Sequence, residues 1–411
     1  MPNEPWHNDQ WFTSPWNYAP EVTKNIHMPP KVRIHDITLR DGEQQAGVVF
    51  TKDDKIRIAE KLAEAGVHRI EAGMPAVSPS DEAAVKEIVK RNLGPEIFAF
   101  ARCMIDDVKR AVDCGVTGVV MEVPSSRHII EKAYRWELNK AIDLSVQSTR
   151  YAHEQGLYVV FFPIDSSRAE IDWWVSLIDQ VASDGHMDAL AVVDTFGVLS
   201  PHAITYLVSK IRERIKQPLE AHFHMDFGMG VANTIMGVAA GIEVIHSTVL
   251  GIGERAGNTP MEETVMALQA LYNQDLGLRL DKLTELSHLV RDLAGVKVPS
   301  NKPVVGDTLY NVESGIISTW VENVGNQDIT EVFPYRWEVV GQKPVELVLG
   351  KGSGLDSVRH WLKKIGIENA SDEDVAAILA KVKAASLESK RLLTEDEFRR
   401  LAISVLDAVQ S

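Results

Sequence analysis

Between residues 33 and 270 the apolar positions repeatedly change their period. Short, nearly continuous apolar runs at 33–38, 68–74, 96–101, 117–123, 157–162, 188–193, 219–224 and 243–249 have the length and composition of buried strands. Between them the apolar spacing switches to three and four residues, the mark of an amphipathic helix. Such stretches run over Lys52–Ala65, Asp81–Arg91, Asn139–Glu154, Ile171–Ala182, Pro201–Ile215 and Thr259–Ala270. Eight strand–helix units in about 240 residues have the length of a (β/α)8 barrel. A doubly wound parallel sheet is the rival, but no GxGxxG follows the first strand, and eight regular units favour closure. The expected architecture is therefore α/β: a TIM barrel over 31–275, preceded by an irregular arm over 1–30. A small linker subdomain over 276–352 follows, then a helical region over 353–411 in which Val375, Ile378, Leu379 and Val382 keep helical spacing.

A barrel places functional residues at the C-terminal ends of its strands. The unusual polar residues fall there: Arg40 and Asp41 after strand one, Glu71 late in strand two, and Arg102 after strand three. Asp194 and Thr195 follow strand six, His222 and His224 end strand seven, and Asn258 lies in the loop after strand eight. Arg40 beside Asp41 reads either as a surface ion pair or as a metal-binding carboxylate next to a cation that polarises a substrate oxygen. His222 and His224 are two residues apart on a strand and so share a face. Two imidazoles and a carboxylate form a common divalent-metal set; the alternative is a pair of core histidines satisfied by neighbours. The loop Gly251-Ile252-Gly253-Glu254-Arg255-Ala256-Gly257-Asn258 is either an ordinary barrel connection or a tight turn that brings Asn258 to the metal.

Charge narrows the partners. Lys plus Arg number 43 against 58 Asp plus Glu, a formal net charge of −15, which argues against nucleic acid and anionic membranes. An anionic substrate would need local positive charge, from a metal or a few placed arginines. Apolar residues make up 45% of the 411, enough for a large core, and no run approaches the roughly 18 residues of a membrane span. Cys103 and Cys114 form neither a zinc pattern nor a disulfide framework, so a reducing cytoplasm is the expected compartment. The first 30 residues lack a secretory pattern. They carry Trp6, Trp11 and Trp16, expected to pack their indoles on a surface, that of a partner subunit included.

Taken together, Ile37-Thr38-Leu39-Arg40-Asp41-Gly42-Glu43-Gln44, Ile70-Glu71-Ala72-Gly73, Asp194-Thr195-Phe196-Gly197, His222-Phe223-His224 and the Gly251–Asn258 loop resemble the DRE-TIM metallolyase superfamily. The nearest subgroup is the isopropylmalate and homocitrate synthases. The likeness extends through Asn301-Lys302-Pro303-Val304-Val305-Gly306, Glu313-Ser314-Gly315-Ile316 and Leu349-Gly350-Lys351-Gly352-Ser353-Gly354. The resemblance implies a metal-dependent reaction that makes or breaks a carbon–carbon bond beside a 2-oxo acid. Asp41, His222 and His224, with Asn258, would hold a divalent ion (Zn, Mn, Mg, Fe or Co). Arg40 would donate to the keto oxygen, Glu71 and Gln44 would line the pocket, Thr195 would hold a substrate carboxylate, and Arg102 joins the substrate-binding set. A 2-oxo acid, an acyl-CoA donor and a homodimer are the implied partners.

The departures from that pattern cluster. The synthases' His-x-Ser-Gly-Ile-His reads Val312-Glu313-Ser314-Gly315-Ile316-Ile317 here, so the histidine that helps enolise acetyl-CoA is replaced by Ile317. His128 and Tyr335 are the candidate substitutes. Strand five ends Phe162-Pro163-Ile164-Asp165 without the subgroup's Glu, and Met104 stands where homocitrate synthases carry His. Claisen-type synthesis, the reverse cleavage by an aldolase or retro-Claisen lyase, and a non-catalytic ligand-binding homologue are the three functions to weigh.

Overall fold

The computed structural model describes residues 4–410. Among the described residues, eight parallel strands close into a barrel in chain order. They are β1 (Arg33–Asp36), β2 (Arg69–Glu71), β3 (Glu96–Arg102), β4 (Gly118–Pro124), β5 (Tyr158–Ile164), β6 (Ala189–Asp194), β7 (Leu219–Phe223) and β8 (Val244–Ser247). The barrel closes by pairing β8 with β1, which sets His35 opposite His246. Each strand lies within a few residues of its expected span, and helices follow in between. The Lys52–Ala65 helix keeps its expected bounds because both ends are written locally. A Thr51/Asp54 capping box starts it, and Gly66 at φ 84° ends it.

β1 stops at Asp36, two residues before the apolar run does. The Asp36 carboxylate accepts the Thr38 N–H (3.0 Å) and hydroxyl (2.9 Å). Three successive amides, those of Arg40, Asp41 and Gly42, then turn back on the Ile37 carbonyl. A tight turn of this kind, rather than a straight strand end, presents Arg40 and Asp41.

By contacts the chain divides into two units, Pro15–Pro299 and residues 4–14 with 300 onward. The barrel unit thus runs past the expected boundary at 275. The Leu283–Ala294 helix belongs to it, with Ser287 Oγ donating to buried Glu262 at 2.5 Å. In the second unit a short parallel pair, β9 (Asn311–Val312) with β10 (Glu346–Leu347), adjoins an apolar cluster of Tyr310, Val312, Val321, Ile329, Trp337 and Leu347. Helices Leu355–Lys364, Asp372–Ser389 and Glu395–Gln410 surround another, centred on Val358, Trp361, Ile378 and Phe398.

Among the described residues the N-terminal arm holds only two short helical turns, Pro15–Tyr18 and Pro20–Thr23. Trp11 is buried and bridges to Tyr335, while Phe12 N donates to the Pro334 carbonyl and Arg336 N to that of Gln10. Trp16 alone among these indoles is strongly exposed, at 81%. Among the described residues no helix is long and apolar enough to cross a membrane.

Candidate metal centre

Three ligand atoms converge at the C-terminal mouth of the barrel. His222 Nε2 lies 3.3 Å from His224 Nε2 and 3.5 Å from Asp41 Oδ2. All three side chains are buried. Burial would raise the Asp41 pKa, but Arg40, His222, His224 and the Asn258 hydrogen bond outweigh it and hold the carboxylate well below its usual range. Burial also keeps His222 and His224 below the ordinary imidazole value. A charged carboxylate beside two neutral imidazoles is the protonation state a divalent cation requires.

Arg40 is fixed on two sides. Its Nη1 lies 2.5 Å from Asp41 Oδ2, and its Nε donates to Glu71 Oε1. The guanidinium carbon sits 3.9 Å from the Phe100 ring centroid, a cation–π contact. Glu71 is fully buried, and burial raises its pKa despite Arg40. Asn258 donates Nδ2 to Asp41 Oδ1 (2.8 Å) and to the Ile252 carbonyl (3.2 Å). Two glycines make that approach possible: a Cβ on Gly253 (φ +153°) would strike the Asn258 amide, and one on Gly257 (φ +89°) the Gly251 carbonyl. Asn258 Oδ1, His224 Nδ1 and Arg40 Nη2 are buried without hydrogen-bond partners, while Glu71 Oε2 faces His35 Nε2 at 3.6 Å. Such orphaned atoms fit a site built around an ion and a polar ligand.

The other expected residues make contacts of their own. Thr195 Oγ1 accepts the Asp165 N–H at 2.8 Å, which leaves its own proton to donate. Gln44 is exposed, at the end of the Gly42–Gln44 turn. Arg102 turns to the following helix and grips Asp107 through Nε (2.8 Å) and Nη2 (3.0 Å). Neither joins Asp41, His222 and His224.

Several polar residues in the barrel were not singled out from sequence. His35, Glu220 and His246 form a second buried group whose potential ligand atoms lie within 4.8 Å of one another. Glu220 was legible in principle: it precedes His222 by two residues and so shares its inward face. Glu122, in register with Arg102 and Phe162, accepts the Tyr134 hydroxyl at 3.1 Å, and burial raises its pKa.

A buried Asp–His–His group at the C-terminal mouth of a (β/α)8 barrel, with an arginine on the carboxylate, is the donor set of a candidate divalent-metal site. The chain belongs to the HMGL-like family, whose model matches residues 31–290. It is 37% identical over 396 residues to the homocitrate synthase AksA of Methanothermobacter thermautotrophicus, covering 96% of this chain and 98% of that one. It is 41% identical to the putative (R)-citramalate synthase CimA of Archaeoglobus fulgidus, over 92% and 76% of the two chains. Two other relatives of similar identity are named probable 2-isopropylmalate synthase and 2-isopropylmalate synthase. Among solved structures, the HMG-CoA lyase of Bacillus subtilis superposes with a TM-score of 0.60 at 21% identity, over 67% of this chain and 97% of that one, a likeness of fold.

Proposed function

We propose that this chain is an acyltransferase of the 2-isopropylmalate/homocitrate synthase type, joining an acyl donor to the keto carbon of a 2-oxo acid. The observation that carries this reading is the convergence of Asp41, His222 and His224 beside an anchored Arg40. A divalent cation held by those three residues, with Asn258 beside them, would supply Lewis-acid polarisation of the keto group. Arg40 has its Nη2 free of protein partners and serves the oxygen on which negative charge grows. Fixed on Asp41, Glu71 and Phe100, it needs no reorganisation as the charge develops. Glu71 orients Arg40, and the Thr195 hydroxyl donates to the substrate carboxylate.

Ile317 favours a second reading. It packs against the Tyr310–Val312 cluster and offers no atom that accepts a proton. Removal of an acyl-CoA α-proton requires a positioned base; in the cleavage direction the substrate's 2-hydroxyl gives up its proton as the carbon–carbon bond breaks beside Arg40, and the enolate released takes its proton from water.

Metal-loaded protein incubated with acetyl-CoA and a panel of 2-oxo acids should release free thiol. A parallel panel of 2-hydroxy acids, followed by 2-oxo acid release, reads the cleavage direction. Activity in neither panel would overturn both readings. Deuterium exchange into the acetyl-CoA methyl group, with an unreactive oxo-acid analogue bound, separates them: rapid exchange shows a competent base and removes the reason to prefer cleavage. The homodimer implied by the resemblance belongs to the same proposal, and a fully active monomer in dilute solution would contradict it.

A further inference from the structure

Deeper in the barrel than Asp41, His222 and His224 lies a layer of buried charge that the proposed reaction does not use. His222 gives Nε2 to Asp41 and His224, and its other nitrogen, Nδ1, lies 3.3 Å from His246 Nδ1. His246 Nε2 is 2.6 Å from Glu220 Oε2. Glu220 Oε1 accepts Arg69 Nη1 at 2.7 Å. Arg69 Nε donates to Glu96 Oε2 at 3.0 Å, and Arg33 pairs with the same oxygen at 2.9 Å. His222, His246, Glu220 and Arg69 are all buried.

One set of tautomers completes this chain once His222 Nε2 faces a cation. Nδ1 of His222 then carries the proton and donates to His246 Nδ1. His246 in turn carries its proton on Nε2 and donates to Glu220. Each nitrogen has one role, and no proton is shared or missing.

The layer has an energetic cost. Barrel interiors are ordinarily filled by branched apolar side chains, and replacing a buried ion pair by apolar residues is often neutral or stabilising. Stability therefore does not account for Glu220 and Arg69. The end of the chain does: it terminates on the second nitrogen of a metal-ligating imidazole, where carboxylate-backed donors commonly fix a ligand's tautomer and ring orientation and raise its basicity. Resting on the reading of Asp41, His222 and His224 as metal ligands, we propose that His246 and Glu220 are positioning residues that lock His222 in its metal-binding tautomer.

The His35, Glu220 and His246 group could be read instead as a second ion site. Arg69 already occupies Glu220, and the 2.6 Å His246–Glu220 contact is a hydrogen bond. His35 stands farther off, 3.8 Å from Glu220 and 3.6 Å from Glu71. We assign that group no ion.

The test titrates Co(II) into the full-length protein against a competing chelator, following the cobalt absorption bands, with thermal melts of the metal-free proteins alongside. Wild type should take one cobalt per chain. His246→Phe should bind it about 10–100-fold more weakly with altered bands. His246→Asn, whose side-chain oxygen can accept the His222 proton, should recover to within a few-fold. Wild-type affinity in His246→Phe, or no recovery in His246→Asn, overturns the proposal. If His222→Ala loses its cobalt in the same series, the ligand assignment survives that failure. Retention of cobalt by His222→Ala overturns both. Two cobalt ions per wild-type chain, one of them lost in His246→Phe, would make His246 a ligand and also overturn it. Should His246→Phe fail to fold, Glu220→Gln decides: a loss of about tenfold is expected, and wild-type affinity overturns the proposal.

Discussion

The two sides of the barrel interior are built from different chemistry, although one closed sheet carries both. Strands β3 to β6 turn Phe98, Phe100, Val120, Val160, Phe162, Ala189, Ala191 and Val193 inward as one apolar cluster. Strands β7, β8, β1 and β2 contribute Glu220, His222, His246, His35, Arg69 and Glu71, all buried. The sides meet along aromatic faces: Arg40 lies over Phe100, and Arg69 lies 4.7 and 4.8 Å from the ring centroids of Phe98 and Tyr158. The apolar side supplies stability and a low dielectric, and the charged side spends some of that stability to hold ligand atoms in place. The contrast explains why the candidate ligands come from β7 and the turn after β1, at the mouth of the charged side.

The largest effect should follow from removing the ligand at the centre of that side. His222→Ala should abolish both bound metal and activity while the fold persists. Elemental analysis and far-UV circular dichroism check this, and full metal content in the variant would refute the assignment. Next comes the pairing that makes the charged side tolerable. Arg69→Met leaves Glu220 buried opposite no guanidinium and should cost about 3–5 kcal/mol in denaturant unfolding. The double variant Arg69→Met/Glu220→Gln should regain most of that. If the double variant is no better than the single, the pairing is not what the layer requires.

Arg40 tests the seam. Lysine keeps the charge but loses the planar fork that binds Asp41 and Glu71 and stacks on Phe100. Arg40→Lys should lower kcat by about 10²–10³, a barrier of about 2.7–4 kcal/mol, with a much smaller rise in KM for the oxo acid. An unchanged kcat would place the developing charge elsewhere.

The apolar side and the eight strand–helix units were legible in the sequence because they are written in local periods. So was the coming together of Asp41, His222, His224 and Asn258, since each sits at the end of an apolar run or in its loop. The charged layer was not. His35 and His246 become neighbours only because β8 closes onto β1, a pairing that separates them by most of the barrel in sequence. Arg102 and Gln44 sit at comparable places in their units, but a local event turns Arg102 away: Asp107, in the first turn of the next helix, captures it. Trp11 is buried through a pairing with Tyr335 more than three hundred residues away, which no window on the sequence contains.

The smallest effect concerns His35, and it asks whether the charged side makes the fold sensitive to acid. Burial chiefly, with His246 and Arg69, depresses its pKa from the ordinary 6.5 to about 3. Between those values the unfolded chain binds a proton that the folded one refuses. The stability His35 contributes as a neutral group is therefore complete above pH 6.5 and is lost as pH falls toward 3. Phe at this position cannot titrate, and the present ring already lies 5.0 Å from Phe98 and 4.5 Å from His246, so a benzene ring has aromatic neighbours to pack on. His35 meets Glu71 and Glu220 only at 3.6 and 3.8 Å, beyond normal hydrogen-bond distance, so the substitution gives up weak contacts and should cost little at pH 7. Between pH 7 and 4.5 wild type should lose about 1–2 kcal/mol more than His35→Phe, a discounted share of the 1.36 kcal/mol per pH unit that one group can contribute. Urea unfolding of both proteins at the two pH values measures it. Equal losses would mean that His35 is not kept neutral, and that the acid sensitivity of the barrel arises outside its charged layer.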